Sequence, residues 1–577
     1  MVHSPDIIIR GLSPGISHSG VRPDAARLIS LGLSNPDIER MTMSSLNLLE
    51  DPWIPIQAAA GPVRLIRPAQ ITEDLPLSAI DWPRADFRIA QLEFLIGLLA
   101  TCCSPADDDA WQAWWDDPPN AAALDSAFAP FAHAFNFDGD GPRFLQDFES
   151  LDSGVESVEK LLIEAPGEQG VKKNTDLLVK RGRAERLSRA TAAIALYTLQ
   201  SWAPAGGAGN RTGLRGGGPL VTMLLPGTEP TLWHMLWANV PCGHSPATSD
   251  LPRVFPWLGP TQSSQVGMTV TPANAHPAQV WWGMPRRIRL EFEAQPEPIA
   301  CDLTNQPDDV LIVGWRQRPY GANYADWGRR HPLTPHYRLK PTDPEWLPVH
   351  PQPGGIGYRH WLGLVLPADE LRLPAACVST WRGDERPLGR VRLLAAGFDM
   401  DNMKARGFVE SEMPLPGSGD AQQRRRLDKL ATALVRGSEA AAGMIRSAVR
   451  AALFSAGATV KADAELLNSA RENLWEATED AFFDVLNRAA ASEALEEDPN
   501  PPHRFWLDRL RGTALAIFDE LAPVAPDGSG QAPRVAAARR NLLVGFAGYS
   551  PMGKALFAAL NLPPPEKPAK DKARKVA

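Results

Sequence analysis

The sequence predicts an α+β protein in which a large, irregular α/β N-terminal domain is followed by a C-terminal four-helix bundle. Two observations carry this. From Leu46 to about Asn402, short β-like runs (VRLI, PLVTMLL, RIRLEFEA, GLVLPA) alternate with helical stretches and many Pro/Gly turns, the pattern of a mixed domain. From Gln422 to Asn561 the apolar residues fall at helical spacing: Leu427, Leu430 and Leu434, then Ile445, Val449 and Leu453, then Leu466, Leu467, Leu474, Ala477, Ala481 and Leu486. Breaks at SAGAT, EEDPNPP and APVAPDGSGQAP cut this region into four amphipathic segments, and four helices joined by short loops pack as a bundle. The expected boundaries are 1–43 for a disordered extension, 44–415 for the α/β domain, 420–562 for the bundle and 563–577 for a disordered basic tail.

Taken in order, the N-terminal extension has no long apolar region followed by a cleavage site, so no secretory signal is expected. The most apolar stretch, Ile89 to Cys103, is interrupted by Gln91 and Glu93 and falls short of the roughly 20 residues a membrane span requires. It reads as a core helix. A second helix is expected from Ala184 to Ser201, with Leu187, Ala190, Ile194 and Tyr197 forming one buried stripe. The Trp-rich stretch from Trp281 to Trp346 reads as core, since tryptophan buries a large area wherever it sits. The tail PPPEKPAKDKARKVA is too rich in proline and lysine to pack.

Composition limits the function classes. A chain of 577 residues with 44% hydrophobic content is globular and long enough for more than one domain. Its net charge of -8 argues against indiscriminate adhesion to nucleic acid and requires any such site to be a local patch. The 5 cysteines form no CxxC pair, which favours a reducing, cytoplasmic setting and supplies no zinc framework.

The strongest functional signal lies between Ala165 and Pro219. APGEQGVKKNTDLLVKRG concentrates Lys172, Lys173, Lys180, Arg181 and Arg183 against Asp176, and phosphate contacts need such local positive charge. After the helix comes APAGGAGNRTGLRGGGP, whose glycines leave a main chain without side-chain bulk beside Arg211 and Arg215. A surface of this kind can approach another polymer closely, or cradle the phosphate of a small molecule clamped by Arg211 or Arg215. An enzyme acting on a phosphorylated small molecule is therefore the competing class.

Other enzyme signatures fail in context. GYSPMGKA has the GxxxxGK spacing of a phosphate-binding loop, but Ala555 stands where Ser or Thr should hold magnesium and the preceding VAAARRNLLVGFAG reads as helix. His331 and His336 flank the HPLTPH turn without partners for a metal and read as surface or core residues. No cofactor is expected.

Five stretches in order, LNLLEDPWIPI, the KKNTDLLVKRG loop, LYTLQSWAPAGGAGNRTGLRGGGP, RQRPYGANYADWGRRHPLTPHY and AGFDMDNMKARGF, resemble the CasA-type large subunit of the type I-E CRISPR surveillance complex, Cascade. The resemblance implies a protein that catalyses nothing itself but inspects duplex DNA for the protospacer-adjacent motif from the minor groove. By that resemblance the glycine loop corresponds to Gly206, Gly207, Ala208, Gly209 and Asn210, followed by Arg211. Arg316 or Arg318 would be the basic minor-groove reader. The strand-separating wedge would fall at Asp401, Asn402, Met403 and Lys404, a turn that departs from the Asn-Gln-Ala form of some relatives and leaves open which residue stacks. Lys172, Lys173, Asn174, Lys180 and Arg181 would dock on the 5′ handle of the guide crRNA or a neighbouring backbone subunit. Arg424, Arg425 and Arg426 would serve the displaced strand, the bundle would meet the small subunits, and the N-terminal domain would receive the helicase-nuclease. No membrane partner is implied.

Overall fold

The helix expected at the apolar run Ile89–Cys103 forms, beginning one turn earlier at Ala85. A computed structural model describes residues 45–57, 61–174, 176, 179–206, 209–383, 386, 388–401, 404–417, 420–455, 465–491, 501–523 and 531–565, all within one compact unit, Ser45–Ala577. The expected disordered extension and most of the expected tail lie outside these residues.

Helix α1 (Ala85–Cys102) is buried on all sides, Gln91 and Glu93 included. Two of its polar side chains accept from tryptophans: Trp82 donates to Gln91 Oε1 at 3.2 Å, and Trp282 donates to Thr101 at 2.9 Å. Phe94 sits at the centre of an aromatic cluster, meeting Trp53, Phe135, Phe144, Tyr197 and Trp282 edge-on at centroid distances between 5.3 and 6.2 Å. Edge-to-face packing of this kind adds to the burial term.

The second helix, α2 (Arg189–Trp202), begins later than Ala184, because Leu187–Ser188 instead form a short strand paired with Ile312 and Leu311. Ser188 then caps the helix by accepting from the Thr191 amide. Rather than one buried stripe, α2 is buried from Ala190 through Gln200 around its whole circumference, packed on α1 and on the strand that receives Leu187.

Among the described residues, two of the three-stranded antiparallel sheets carry the candidate site elements. In the first, β1 (Val221–Pro226) lies beside a later hairpin. In the second, β2 (Arg287–Ala300) and β3 (Pro307–Arg318) pair with each other, and β3 also pairs with Leu187–Ser188. The hairpin is β4 (Val391–Asp401) and β5 (Lys404–Leu415), with β4 central and paired to β1 from Val391↔Pro226 to Ala396↔Val221. The expected strand at GLVLPA does not form. Trp361–Leu364 makes a helical turn broken at Gly363, whose φ of +114° would strain any other residue. Of the Trp-rich stretch, Trp281, Trp282, Trp315 and Trp327 are buried, as the area argument requires.

The C-terminal region is helical: α3 (Ala421–Leu453), α4 (Glu465–Ala491), α5 (Pro501–Leu521), α6 (Gln531–Phe546) and the short α7 (Pro551–Ala559). Helix α3 packs against each of the other four. Leu467 points inward and Leu466 outward, so only one of that adjacent pair serves the core. Gly545 and Gly553 let α6 and α7 cross with main chains in contact, since a Cβ on Gly553 would overlap the Gly545 carbonyl. The second glycine of GxxxxGK is therefore a packing residue. Tyr358 fastens the N-terminal region to the helices: its ring stacks on Phe482 at 4.5 Å and its hydroxyl meets Thr478 at 2.6 Å.

Candidate nucleic-acid interface

The chain leaving α2 closes a small turn. The Gly206 amide donates to the Asn210 carbonyl at 3.2 Å, and Asn210 Nδ2 donates back to the Gly206 carbonyl at 2.9 Å. Gly207 and Ala208 lie outside the described residues. Gly209 adopts φ +86°, and its carbonyl accepts from the Tyr320 amide at 2.7 Å. A Cβ there would stand 2.7 Å from Pro319 Cβ and 2.8 Å from the Tyr320 nitrogen, so dihedral and space both demand glycine. Arg211 donates from Nε to Ser264 Oγ at 3.2 Å. The turn is thereby clamped onto the chain just beyond β3.

The rest of the glycine run faces inward, which corrects its reading as one open surface. Gly213 lies against the Ser201 and Gln200 carbonyls, Gly217 would collide with Pro204 if given a Cβ, and Gly218 (φ +63°) backs onto the Phe398 carbonyl and Met400. Arg215 is buried in an ion pair with Glu93 and donates to Thr334 at 3.3 Å. Burial would push the Glu93 carboxyl up, but Arg215 and the His331 ring hold it at about 2. Arg215 is thus spent on the core and is removed as a clamp for a phosphorylated small molecule.

The expected wedge falls on the β4–β5 hairpin. Asp401 pairs with Lys404, both exposed, and only Asn402 and Met403 lie between them; those two are outside the described residues. Arg406 braces the stem through Asp399 at 2.7 Å. Because Gly218 packs on Met400, the segment that carries the glycine turn also supports this hairpin.

Arg316 and Arg318 belong to a ladder of arginines. Arg287 stands opposite Arg318 and Arg289 opposite Arg316, and opposed side chains on an antiparallel pair share a face. The segment 147–153 lies across that face. Asp147 pairs with Arg287 at 2.6 Å, its carbonyl accepts from Arg289 at 2.9 Å, the Ser153 carbonyl and Glu291 take Arg316, and the Asp152 carbonyl accepts from Arg318 at 3.1 Å. Arg316 is thereby committed to an acid. Arg318, two residues before the Tyr320 that holds Gly209, has a main-chain carbonyl as its hydrogen-bond partner among the described residues.

In the basic loop, Lys172 ends a short helix, Glu168–Lys172, and Lys173, Asn174 and Lys180 follow it; all four are exposed. Arg181 turns inward on its own loop, donating to Asp176 at 2.6 Å and to Asn174 Oδ1 and the Val171 carbonyl at 3.1 Å. It shapes the loop while the lysines face outward. At the start of α3, Arg425 is exposed, whereas Arg424 and Arg426 are half-buried and Arg424 donates to the Arg382 carbonyl. The sequence reading missed Arg286, whose guanidinium donates to the Pro204 carbonyl beneath the glycine turn. Nothing in the string MPRRIRL distinguishes it from Arg287, which pairs with Asp147. Among the described residues, no three His, Cys, Asp or Glu side chains gather as a metal site, and no helix is long and apolar enough to cross a membrane.

A mixed helix-and-strand region followed by a helical C-terminal region is the fold shared with a class of CRISPR-associated proteins. The chain is similar to the Cse1 of Acidimicrobium ferrooxidans (19% identity, TM-score 0.61, covering 90% of this chain and 98% of that one). It is also similar to the CasA of Thermus thermophilus (18%, 0.61, 89% and 99%) and the Cse1 of Thermobifida fusca (17%, 0.60, 89% and 98%). A chain of a structure described as a CRISPR RNA-guided surveillance complex matches at 17% identity and TM-score 0.60, over 86% of this chain and 99% of that one. The profile of the family "CRISPR-associated protein Cse1" matches residues 47–517, and the chain belongs to this family.

Proposed function

We propose that this protein is the non-catalytic large subunit of a cytoplasmic type I-E CRISPR surveillance complex. It reads the protospacer-adjacent motif of duplex DNA from the minor groove and parts the strands so that guide RNA can invade. The observation that carries the reading is the pairing of two elements on one support: a turn whose main chain is exposed at Gly206 and pinned at Gly209, and a hairpin whose strands end at Asp401 and Lys404, both resting on the segment after α2. Minor-groove edges mainly separate A·T from G·C, so a reader made of main chain and few polar groups tolerates several motifs. Inserting a side chain costs a few kcal/mol of unstacking, which heteroduplex formation and backbone contacts offset. Arg318 is the better placed of the two candidate groove arginines, since Arg316 already has a carboxylate. The exposed lysines 172, 173 and 180 meet the guide's 5′ handle or a backbone subunit, Arg425 the displaced strand, and the α/β region the helicase-nuclease.

The test is reconstitution with guide and partner subunits on duplexes carrying a randomised motif. Gly209→Ala is expected to abolish motif-dependent binding while leaving assembly with guide intact. Motif selection unchanged by that substitution overturns the reading. The competing enzyme reading retains Arg211 alone of its two clamps and explains neither the hairpin nor the exposed lysines.

A further inference from the structure

Arg286 is set apart from the arginines around it by deep burial without a carboxylate partner. Arg287 faces Asp147, Arg215 faces Glu93 and Arg316 faces Glu291, each a carboxylate partner. Arg286 has none among the described residues: its guanidinium donates to the Pro204 carbonyl, and its Nε has no partner. Burial with no acid to offset it lowers its pKa to about 10.

The backbone beneath this group is fixed. The Arg286 amide donates to Gln200 Oε1 at 3.0 Å, and Gln200 Nε2 donates to the Arg286 carbonyl at 2.9 Å, Gln200 being fully buried in α2. Gly321 packs so closely on Pro285 and Arg286 that a Cβ would strike the Pro285 carbonyl. The guanidinium reaches the glycine turn, its Nη2 standing 3.6 Å from where a Cβ on Gly206 would be. A rigidly mounted cation that gives up solvent without a counter-charge costs stability unless a ligand supplies the missing charge. Guanidinium groups match phosphate oxygens with forked donors.

We propose that Arg286 is a phosphate-binding residue of the glycine turn, holding one phosphodiester of the strand that crosses Gly206 and thereby fixing how deeply the turn sits in the groove. This rests on the reading that duplex DNA lies on that turn. A contact of this type positions the duplex without reading its sequence. Arg286 therefore sets affinity, and the turn sets motif choice.

The experiment uses the assembled complex and duplexes in which single phosphates near the motif are replaced, one at a time, by neutral methylphosphonate. Arg286→Gln is expected to weaken binding about tenfold on every motif and to lower the slope of log affinity against log salt by about one. At one backbone position the methylphosphonate should weaken binding by the wild type and leave the variant unaffected. Arg286→Lys should keep the salt slope and recover part of the affinity. An unchanged salt slope in Arg286→Gln, or no position at which the two changes fail to add, overturns the proposal. If the wild-type complex binds no duplex at all, the reading under Proposed function fails instead, and Arg286 is judged with inorganic phosphate alone. Thermal protection of wild type but not of Arg286→Gln then supports a free-phosphate site, and equal melting overturns it.

Discussion

Glu93 of α1 and Arg215 of the glycine-rich segment form an ion pair in the protein interior, their side chains 1% and 6% exposed. Trp202 adds a hydrogen bond to the same carboxylate at 3.1 Å, and His331 lies 3.6 Å away. The pair ties the first core helix to the chain between the glycine turn and the hairpin.

Breaking one side of such a pair strands the other charge. Glu93→Gln is expected to destabilise the fold by about 3–5 kcal/mol, as measured by denaturant unfolding. Replacing both partners by apolar residues, Glu93→Leu with Arg215→Met, should cost less than the single change. A double variant at least as unstable as Glu93→Gln would contradict the buried-charge account.

Acid should loosen the protein well above the range in which carboxylates titrate. Burial lowers His331, His336 and His360 to about 4 each, against an ordinary value near 6.5, with nearby positive charge as a further cause. Above 6.5 both folded and unfolded forms are neutral and stability is complete. As pH falls from 6.5 toward 4 the unfolded chain takes up protons that the native chain refuses, so stability is lost across that window, on the order of 1–3 kcal/mol per histidine. Glu93, held at about 2, adds a further loss below the usual carboxylate range near 4.5. Melting temperature followed from pH 7.5 to 4.5 checks this; a flat profile between 6.5 and 5 would refute it.

At the hairpin, replacing Asn402, Met403 and Lys404 together by alanine is expected to cut R-loop formation at least about tenfold, because the side chains proposed to enter the fork are removed. Guide assembly should be unaffected, since Lys404 belongs to the last, exposed pair of the stem and the stem's bracing by Arg406 is untouched. Permanganate footprinting of unpaired thymines on a matched duplex measures the first effect and co-purification the second. Equal footprints from variant and wild type would remove the wedge assignment.

For the basic loop, Lys172→Glu with Lys173→Glu should weaken association with the guide-bearing complex about tenfold and flatten its dependence on salt, because exposed charges act through long-range attraction. Arg181→Ala should act differently: it removes the contacts to Asp176, Asn174 and Val171 that shape the loop, so its effect should persist at high salt. Unchanged co-purification of the double glutamate variant would contradict the docking role.

Much of the architecture could be read from the residues alone, and the reasons are local. The run Ile89–Cys103 is too apolar for anything but a core helix, and the breaks in the C-terminal region fall where α3 ends and α4, α5 and α6 begin. What could not be read depends on tertiary partners. Leu187 looks like part of a helical stripe until β3 claims it as a strand. Arg211 and Arg215 look equivalent, yet one reaches the Ser264 hydroxyl and the other the Glu93 carboxylate in the core. Arg286 and Arg287 differ only in which of them finds Asp147, a residue far away in the chain.

Helix α2, sheathed on every side, runs from the strand that follows the basic loop to the glycine turn. Its 14 residues span about 21 Å, close to six base pairs of a double helix. The interval between those two ends is consequently a ruler set by residue count: one inserted residue would lengthen it by about 1.5 Å and swing the turn by about 100°. Insertions in this helix should be far less tolerable than insertions in the loops at either end.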